Sequence, residues 1–232
     1  MATYALIPGA GGDPWFWHRV VPGLEARGHD VVPVTLPSGD AAAGWAEYAD
    51  AIMAAVGDRG GVILVAQSLG GFSAPLVCPR RPVDLLVLLN AMIPRPGETG
   101  SDWWSATGSS EARREYLASI GLTPEQADDD AVIYYHDVPA QITAEAVSRP
   151  QPSQSWTPME QPWPLASWPG VPTRVLIGRD DRLFPAAFQH RIARERLGID
   201  GDEIEGGHLA ALSHPHVVVE RLEGYRAAAL GG

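Results

Sequence analysis

Short apolar runs alternate with stretches of helical spacing along the first part of the chain. Residues 4–7, Tyr-Ala-Leu-Ile, read as a buried strand. Residues 14–27 carry Trp15, Val20, Val21 and Leu24 at mostly helical spacing, and Gly28 supplies a stop. Residues 31–34 form a second strand, and residues 46–56 a helix with Tyr48, Ile52 and Val56 on one face. Residues 62–66, Val-Ile-Leu-Val-Ala, are apolar without a break, as a parallel strand covered on both faces should be. A helix over 69–77 and a fourth strand over 85–89 follow. The rhythm resumes late in the chain: a strand over 174–177, a helix over 188–197 with Ile192 and Leu197 among its apolar positions, a weak sixth strand at 203–204, and a closing helix over 217–228. Strand–helix alternation of this kind predicts an α/β fold, a mostly parallel, doubly wound sheet of about six strands with helices on both faces.

Residues 92–168 break that rhythm. They hold helical candidates at 111–120, 125–135 and 140–148 but no convincing strand. They end in an extended stretch with Pro150, Pro152, Trp156, Pro158, Pro162, Trp163, Pro164 and Trp168. Proline at this density prevents helix and central strand alike. Because strands resume afterwards, the expected organisation is a core of residues 1–91 and 169–232 with an inserted cap at 92–168 lying over the sheet.

Composition narrows the function classes. The chain has 232 residues, of which 45% are hydrophobic and 19% charged, a globular balance. Acids number 28 and bases 17, all arginine, for a net charge of -11. Such a surface repels a phosphate backbone and an anionic membrane, so no nucleic-acid or membrane partner is expected. The single cysteine, Cys78, permits no internal disulfide, and no apolar run reaches membrane-spanning length. The first residues lack the basic and apolar regions of a signal peptide. The expectation is a soluble protein of a reducing compartment, the cytoplasm.

The strand at 62–66 runs straight into Gln67-Ser68-Leu69-Gly70-Gly71 and a helix. A serine at a tight strand-to-helix turn sits in a strained backbone conformation with its hydroxyl exposed at the carboxyl edge of the sheet. The positions two before and two after it must be small because strand and helix cross closely there; they are Ala66 and Gly70. The bland alternative is a serine that merely caps a helix. A serine hydroxyl becomes a nucleophile only beside a base, which in turn needs an orienting acid. Two later strands end in candidates: Gly178-Arg179-Asp180-Asp181 and Gly206-Gly207-His208. Open α/β sheets build their sites at such carboxyl ends. The glycines before His208 leave room for its ring to reach Ser68. His18 and His190 lie in helical patterns, His29 in a turn, and His214 and His216 at the start of the last helix, all read as surface or capping groups. His136 reads as a packing or surface group that could also face the pocket.

The turn at Ser68 resembles the nucleophile elbow of the α/β-hydrolase superfamily, with Ala66 in place of the first glycine. The resemblance implies the order Ser, acid, His, and an acid in a G-x-x-D-x-x-x-P frame. Gly178 and Pro185 then select Asp181, with Asp180 as the runner-up. It further implies an oxyanion hole built from the backbone N–H of Leu69 and of Ala10, the latter in Pro8-Gly9-Ala10-Gly11-Gly12, where Pro8 replaces the usual histidine. That glycine loop has neither the Rossmann spacing nor a Walker lysine, so nucleotide binding is rejected. The run from Pro8 to Trp17, with Leu24-Glu25-Ala26-Arg27-Gly28-His29, is similar to a compact branch holding plant methyl esterases, hydroxynitrile lyases and small bacterial hydrolases. Where the lyases carry threonine and lysine, this chain has Gly9 and Leu209, which implies ester hydrolysis over cyanohydrin cleavage.

The resemblance therefore implies a serine esterase with Ser68 as nucleophile, His208 as base and Asp181 as its orienting acid, requiring no metal or cofactor. The aromatic residues of 92–168 suggest a pocket for an apolar or aromatic ester or lactone. Gly9, Gln67, Trp103, Trp104, Tyr135 and His136 are candidate substrate contacts, against the alternative that such rings only pack the cap. The partner is a small-molecule substrate, and the sequence does not fix monomer or homodimer. Two competing readings are a lyase, cyclase or other cofactor-free tailoring enzyme on the same triad, and a non-hydrolytic small-molecule binder.

Overall fold

A computed structural model of the chain describes residues 1–150 and 153–230. Six strands form one sheet: β1 Thr3–Ile7, β2 Asp30–Pro33, β3 Val62–Gln67, β4 Leu85–Leu89, β5 Thr173–Gly178 and β6 Asp202–Ile204. Their order is β2-β1-β3-β4-β5-β6, and every pair is parallel. The order reverses direction after β1, and the crevice beyond the carboxyl ends of β1 and β3 lies at that switch.

Alternation along the strands divides the core. Ala5, Ile7, Leu64, Ala66, Leu86 and Leu88 face one layer, which contains the helices Trp45–Val56 and Ala186–Leu197. Tyr4, Leu6, Ile63, Val65, Val87 and Leu89 face the other, where Trp17, Val20, Leu24 and the closing helix Pro215–Leu230 pack. The period of two and coverage on both faces are what an unbroken apolar strand requires.

Between β4 and β5 the described residues contain helices but no strand: Gly100–Thr107, Ser109–Ser119, Pro124–Ala127, Asp130–Ile133, Ala140–Ser148 and Thr157–Glu160. Two tryptophans seat this segment on the sheet layer. Trp103 donates to Ile93 O at 3.0 Å and Trp163 to Phe72 O at 2.9 Å, and both are fully buried. Each removes on the order of 200 Å² from water, about 5 kcal/mol of transfer free energy before ordering costs. Pro152 of the proline-rich stretch lies outside the described residues. No helix among the described residues is long and apolar enough to cross a membrane.

The structure departs from the sequence expectations at several places. Residues 14–27 form a 3-10 turn, Pro14–Trp17, and a separate short helix, Val21–Glu25. Pro22 falls in the first turn of that helix, where a missing N–H costs nothing, and so marks a new start. The single helix expected over 125–135 is two, because the Asp129 side chain accepts from Ala131 N at 2.8 Å and caps a fresh helix. Gly100–Thr107 was not expected; Thr99 caps it through Asp102 N at 2.9 Å, and Gly108 ends it at φ 65°. His29 is no surface group. Its buried ring accepts from Ala2 N and contacts Glu223 at 3.0 Å, tying β1 and β2 to the closing helix.

Candidate active site

The carboxyl ends of β1, β3, β4, β5 and β6 carry the candidate residues. Ser68 follows β3 at φ 50°, one of two non-glycine residues with positive φ among those described. Holding a side chain there costs on the order of 1–3 kcal/mol, and the surroundings must enforce it. They do: Ser68 N donates to Leu89 O at 3.3 Å, while Ser68 O accepts from Gly71 N at 3.1 Å and Met92 N at 2.9 Å. Gly70 and Gly71 permit the crossing. A Cβ on Gly70 would stand 2.9 Å from Pro8 O, and one on Gly71 would collide with the Met92 carbonyl.

Asp181 and His208 meet in the interior. His208 Nδ1 lies 2.8 Å from Asp181 Oδ2, and both side chains are almost wholly buried. The carboxylate is surrounded by donors: Oδ1 accepts from Leu183 N at 2.8 Å and Phe184 N at 2.9 Å, and Oδ2 also accepts from Gln189 Nε2 at 3.2 Å. An oxygen so supplied can only accept from the imidazole, so Nδ1 carries the hydrogen and Nε2 is left with its lone pair. Asp180, the runner-up, is exposed, and its backbone N–H bonds Gly206 O. The His208 ring is held between Phe184 and Tyr134, both edge-on, at centroid distances of 5.3 and 5.7 Å.

Ser68 and His208 line one cavity of about 540 Å³, with Ala10, Gln67, Tyr134 and Leu183. An apolar chamber of about 300 Å³ shares Ser68 and Ala10 with it and is walled by Leu69, Met92, Trp104, Trp156, Met159 and Phe184. A further chamber of about 330 Å³ lies beyond Ala10 and Gln67, with Trp15, Tyr135, Gln154 and Leu209 in its wall. Among the described residues, no protein acceptor takes the N–H of Ala10 or of Leu69. The site thus sets a hydroxyl and an oriented imidazole on one cavity, while Ala10 and Leu69, whose N–H groups are unclaimed, line the adjoining chamber that shares Ser68. Among the described residues no group of three His, Cys, Asp or Glu side chains is arranged to hold a metal ion.

The other candidate contacts divide. Gln67 and Tyr135 line the cavity at Ser68, and Trp104 the apolar chamber. Gly9 lies against Ser68: a Cβ there would stand 2.5 Å from Gln67 Oε1 and 2.8 Å from Ser68 Cβ, so the turn has no room for a side chain. Trp103 lines neither chamber, because its ring is spent on Phe184, Phe188 and Ile93 O. His136 also stays out of these walls and packs against Gly207, behind the His208 loop. Burial holds its pKa below the ordinary histidine value against the opposing pull of Asp137.

Asn90 escaped sequence reasoning. It follows β4 at φ 47°, fully buried, and joins the acid loop to the histidine loop. Its Oδ1 accepts from Gly178 N at 2.6 Å, and its Nδ2 donates to Gly207 O at 3.0 Å and His208 O at 3.2 Å. Gln189 bridges Asn90 Oδ1 and Asp181 Oδ2. The one sequence signal was an Asn directly after an apolar strand, a residue that tolerates positive φ.

A parallel sheet with a strained serine after β3, an acid after β5 and a histidine after β6 is the arrangement that α/β-hydrolases present. The chain belongs to the alpha/beta hydrolase family, whose model matches residues 5–221. Methylesterase 3 of Arabidopsis thaliana is 30% identical over 140 residues, 53% of this chain and 51% of that protein, so the chain spans about half that relative's length. Norfluorocurarine synthase 1 of Strychnos sp is 23% identical over 258 residues, covering 95% of this chain and 93% of that one. Two solved structures share the fold. Polyneuridine aldehyde esterase has a TM-score of 0.75 at 19% identity, over 97% of this chain and 99% of that chain. A pyrethroid hydrolase from Sphingobium faniae JZ-2 has a TM-score of 0.77 at 21% identity, over 100% and 99%. Esterases are thus among its neighbours, in the branch that its sequence resembles.

Proposed function

We propose that the protein is a serine hydrolase that cleaves an ester or lactone of an apolar or aromatic small molecule through an acyl-enzyme. The observation that carries this reading is the buried Asp181–His208 pair facing the same cavity as Ser68. His208 Nε2 takes the hydroxyl proton as Ser68 Oγ bonds to the substrate carbonyl carbon. The negative charge on the carbonyl oxygen is met by the N–H groups of Ala10 and Leu69. The intermediate collapses, the bond to the leaving oxygen breaks, and His208 returns its proton to that oxygen. Water then repeats the cycle and frees the acid and Ser68. Residues 92–168 act as a cap, and the chamber walled by Trp104, Trp156, Met92, Met159 and Phe184 takes the apolar part of the substrate.

The esterase names of several neighbours support this reading, as does the apolar wall. A panel of short acyl, long acyl and aryl esters on the purified protein tests it. Aryl and medium-chain esters should exceed the acetate in kcat/KM by at least about tenfold, since each buried methylene contributes about 0.8 kcal/mol. A preference for charged or sugar esters would refute the assigned substrate class. The likeness to a protein named as a synthase over 95% of the chain favours one second reading, a non-hydrolytic reaction on the same triad. An enzyme that is labelled at Ser68 yet turns over no ester or lactone would select it.

A further inference from the structure

The donor loop at Ala10 is made almost wholly of glycine: Gly9, Gly11 and Gly12 surround it, with Gly11 at φ 85° and Gly12 at φ 62°. Glycine has the most backbone freedom to lose, so such a loop does not hold an N–H still by itself. An oxyanion donor stabilises charge to the extent that it is already aimed. The loop must therefore be fixed from outside.

Three contacts from elsewhere in the chain fix it. Leu36 N donates to Gly12 O at 3.1 Å, Ser38 Oγ donates to Gly11 O at 2.7 Å, and Gly11 N donates to Gln154 Oε1 at 3.0 Å. The last comes from the segment between β4 and β5, 143 residues further along. The orientation of the Gln154 amide is set, because its Nε2 donates to Tyr48 Oη at 3.0 Å and to Ser155 O at 2.8 Å. Ser155 N donates to Ser38 O at 2.6 Å, so the network closes: Gly11 is gripped at both N–H and C=O, and its two holders are linked through the Ser155 backbone. Gln154 also stands in the walls of two chambers on either side of Ala10.

We propose that Gln154 is a positioning residue for the Ala10 oxyanion donor, so that the cap supplies part of the catalytic geometry as well as a roof. The inference rests on the acyl-transfer reading above. It acts through Gly11: with the acceptor gone, the glycine loop relaxes and the adjacent N–H loses its aim.

The test compares Gln154→Met, which keeps length and wall but removes the acceptor, with the parent enzyme on a short acyl ester. It adds two inhibitors, a trifluoromethyl ketone, whose serine adduct carries an oxyanion, and the matching alcohol, which carries none. The expected result is a loss of about 10- to 100-fold in kcat, below the cost of deleting a donor outright, with KM within about twofold. Ketone affinity should fall by the same factor and alcohol affinity should stay unchanged. Ser38→Ala, which frees the other side of Gly11, should move kcat and ketone affinity in the same direction by a smaller factor, and it decides the matter if the methionine variant does not fold. Unchanged kcat and ketone affinity in a folded variant would overturn the proposal, as would equal weakening of ketone and alcohol, which marks a mere wall. A parent enzyme that neither hydrolyses esters nor binds the ketone would instead bring down the acyl-transfer reading, and this inference with it.

Discussion

Asp181→Asn should leave a folded protein whose kcat on an activated ester is about a thousand- to ten-thousand-fold lower. The reason lies in which atoms are already committed. Asp181 Oδ1 accepts from two backbone N–H groups, Leu183 and Phe184, and only an oxygen can stay there. The new NH₂ must then point at His208, where Oδ2 now accepts. An amide donor facing Nδ1 forces that nitrogen to accept, so the hydrogen moves to Nε2, and the base presents a donor to Ser68. The defect is mainly in tautomer, since Gln189 Nε2, which loses Oδ2 as an acceptor, keeps its bond to Phe184 O. Asp180→Asn is the natural control: exposed and off the histidine, it should stay within about twofold of the parent. Steady-state kinetics with near-ultraviolet circular dichroism on both variants checks the pair, and equal losses in the two would contradict the assignment of the acid.

The largest effect on folding is expected at Gly71. The added methyl of Gly71→Ala would collide with the Met92 carbonyl, a backbone atom that cannot rotate away. Met92 N is at the same time bonded to Ser68 O, and Gly71 N to that same oxygen. Relieving the clash therefore shifts the turn that keeps Ser68 at positive φ. A loss of about 3 kcal/mol or more is expected, in line with overpacking at a site without slack. Urea denaturation read by tryptophan fluorescence measures it, and a midpoint equal to the parent's would contradict the close crossing at Gly71.

The sheet was legible because its strands are apolar on both faces and bounded by turns, so β3 and β4 stand out without any partner in view. The candidate residues were legible for a related reason: Ser68 directly follows β3, and Asp181 and His208 lie three and four residues beyond the ends of β5 and β6, while their order came from the family resemblance. What the sequence hid depends on contacts far along the chain. Asn90 reads as an ordinary turn residue, and its role appears only when Gly178 and Gly207, 88 and 117 residues away, arrive at its amide. Gln189 is one polar residue in a helical pattern until it meets Asp181. Trp103 and Trp104 are neighbours with different fates, one in the core and one in the chamber wall. That distinction is a matter of helix phase, and the helix Gly100–Thr107 begins on Gly-Ser-Asp, a weak start when read by propensity alone. The small-residue rule at the elbow pointed to Gly70, whereas the tighter approach is at Gly71, set by where β4's exit happens to lie.

If Ser68 is the nucleophile and the buried His208 imidazole that shares its cavity activates it, a serine-directed probe should bond there. Incubation with a fluorophosphonate followed by intact-mass measurement and peptide mapping tests it directly. One probe per chain, bonded to Ser68, and no adduct on Ser68→Ala are expected; a parent protein that stays unlabelled, or a Ser68→Ala protein labelled as fully as the parent, would contradict the assignment.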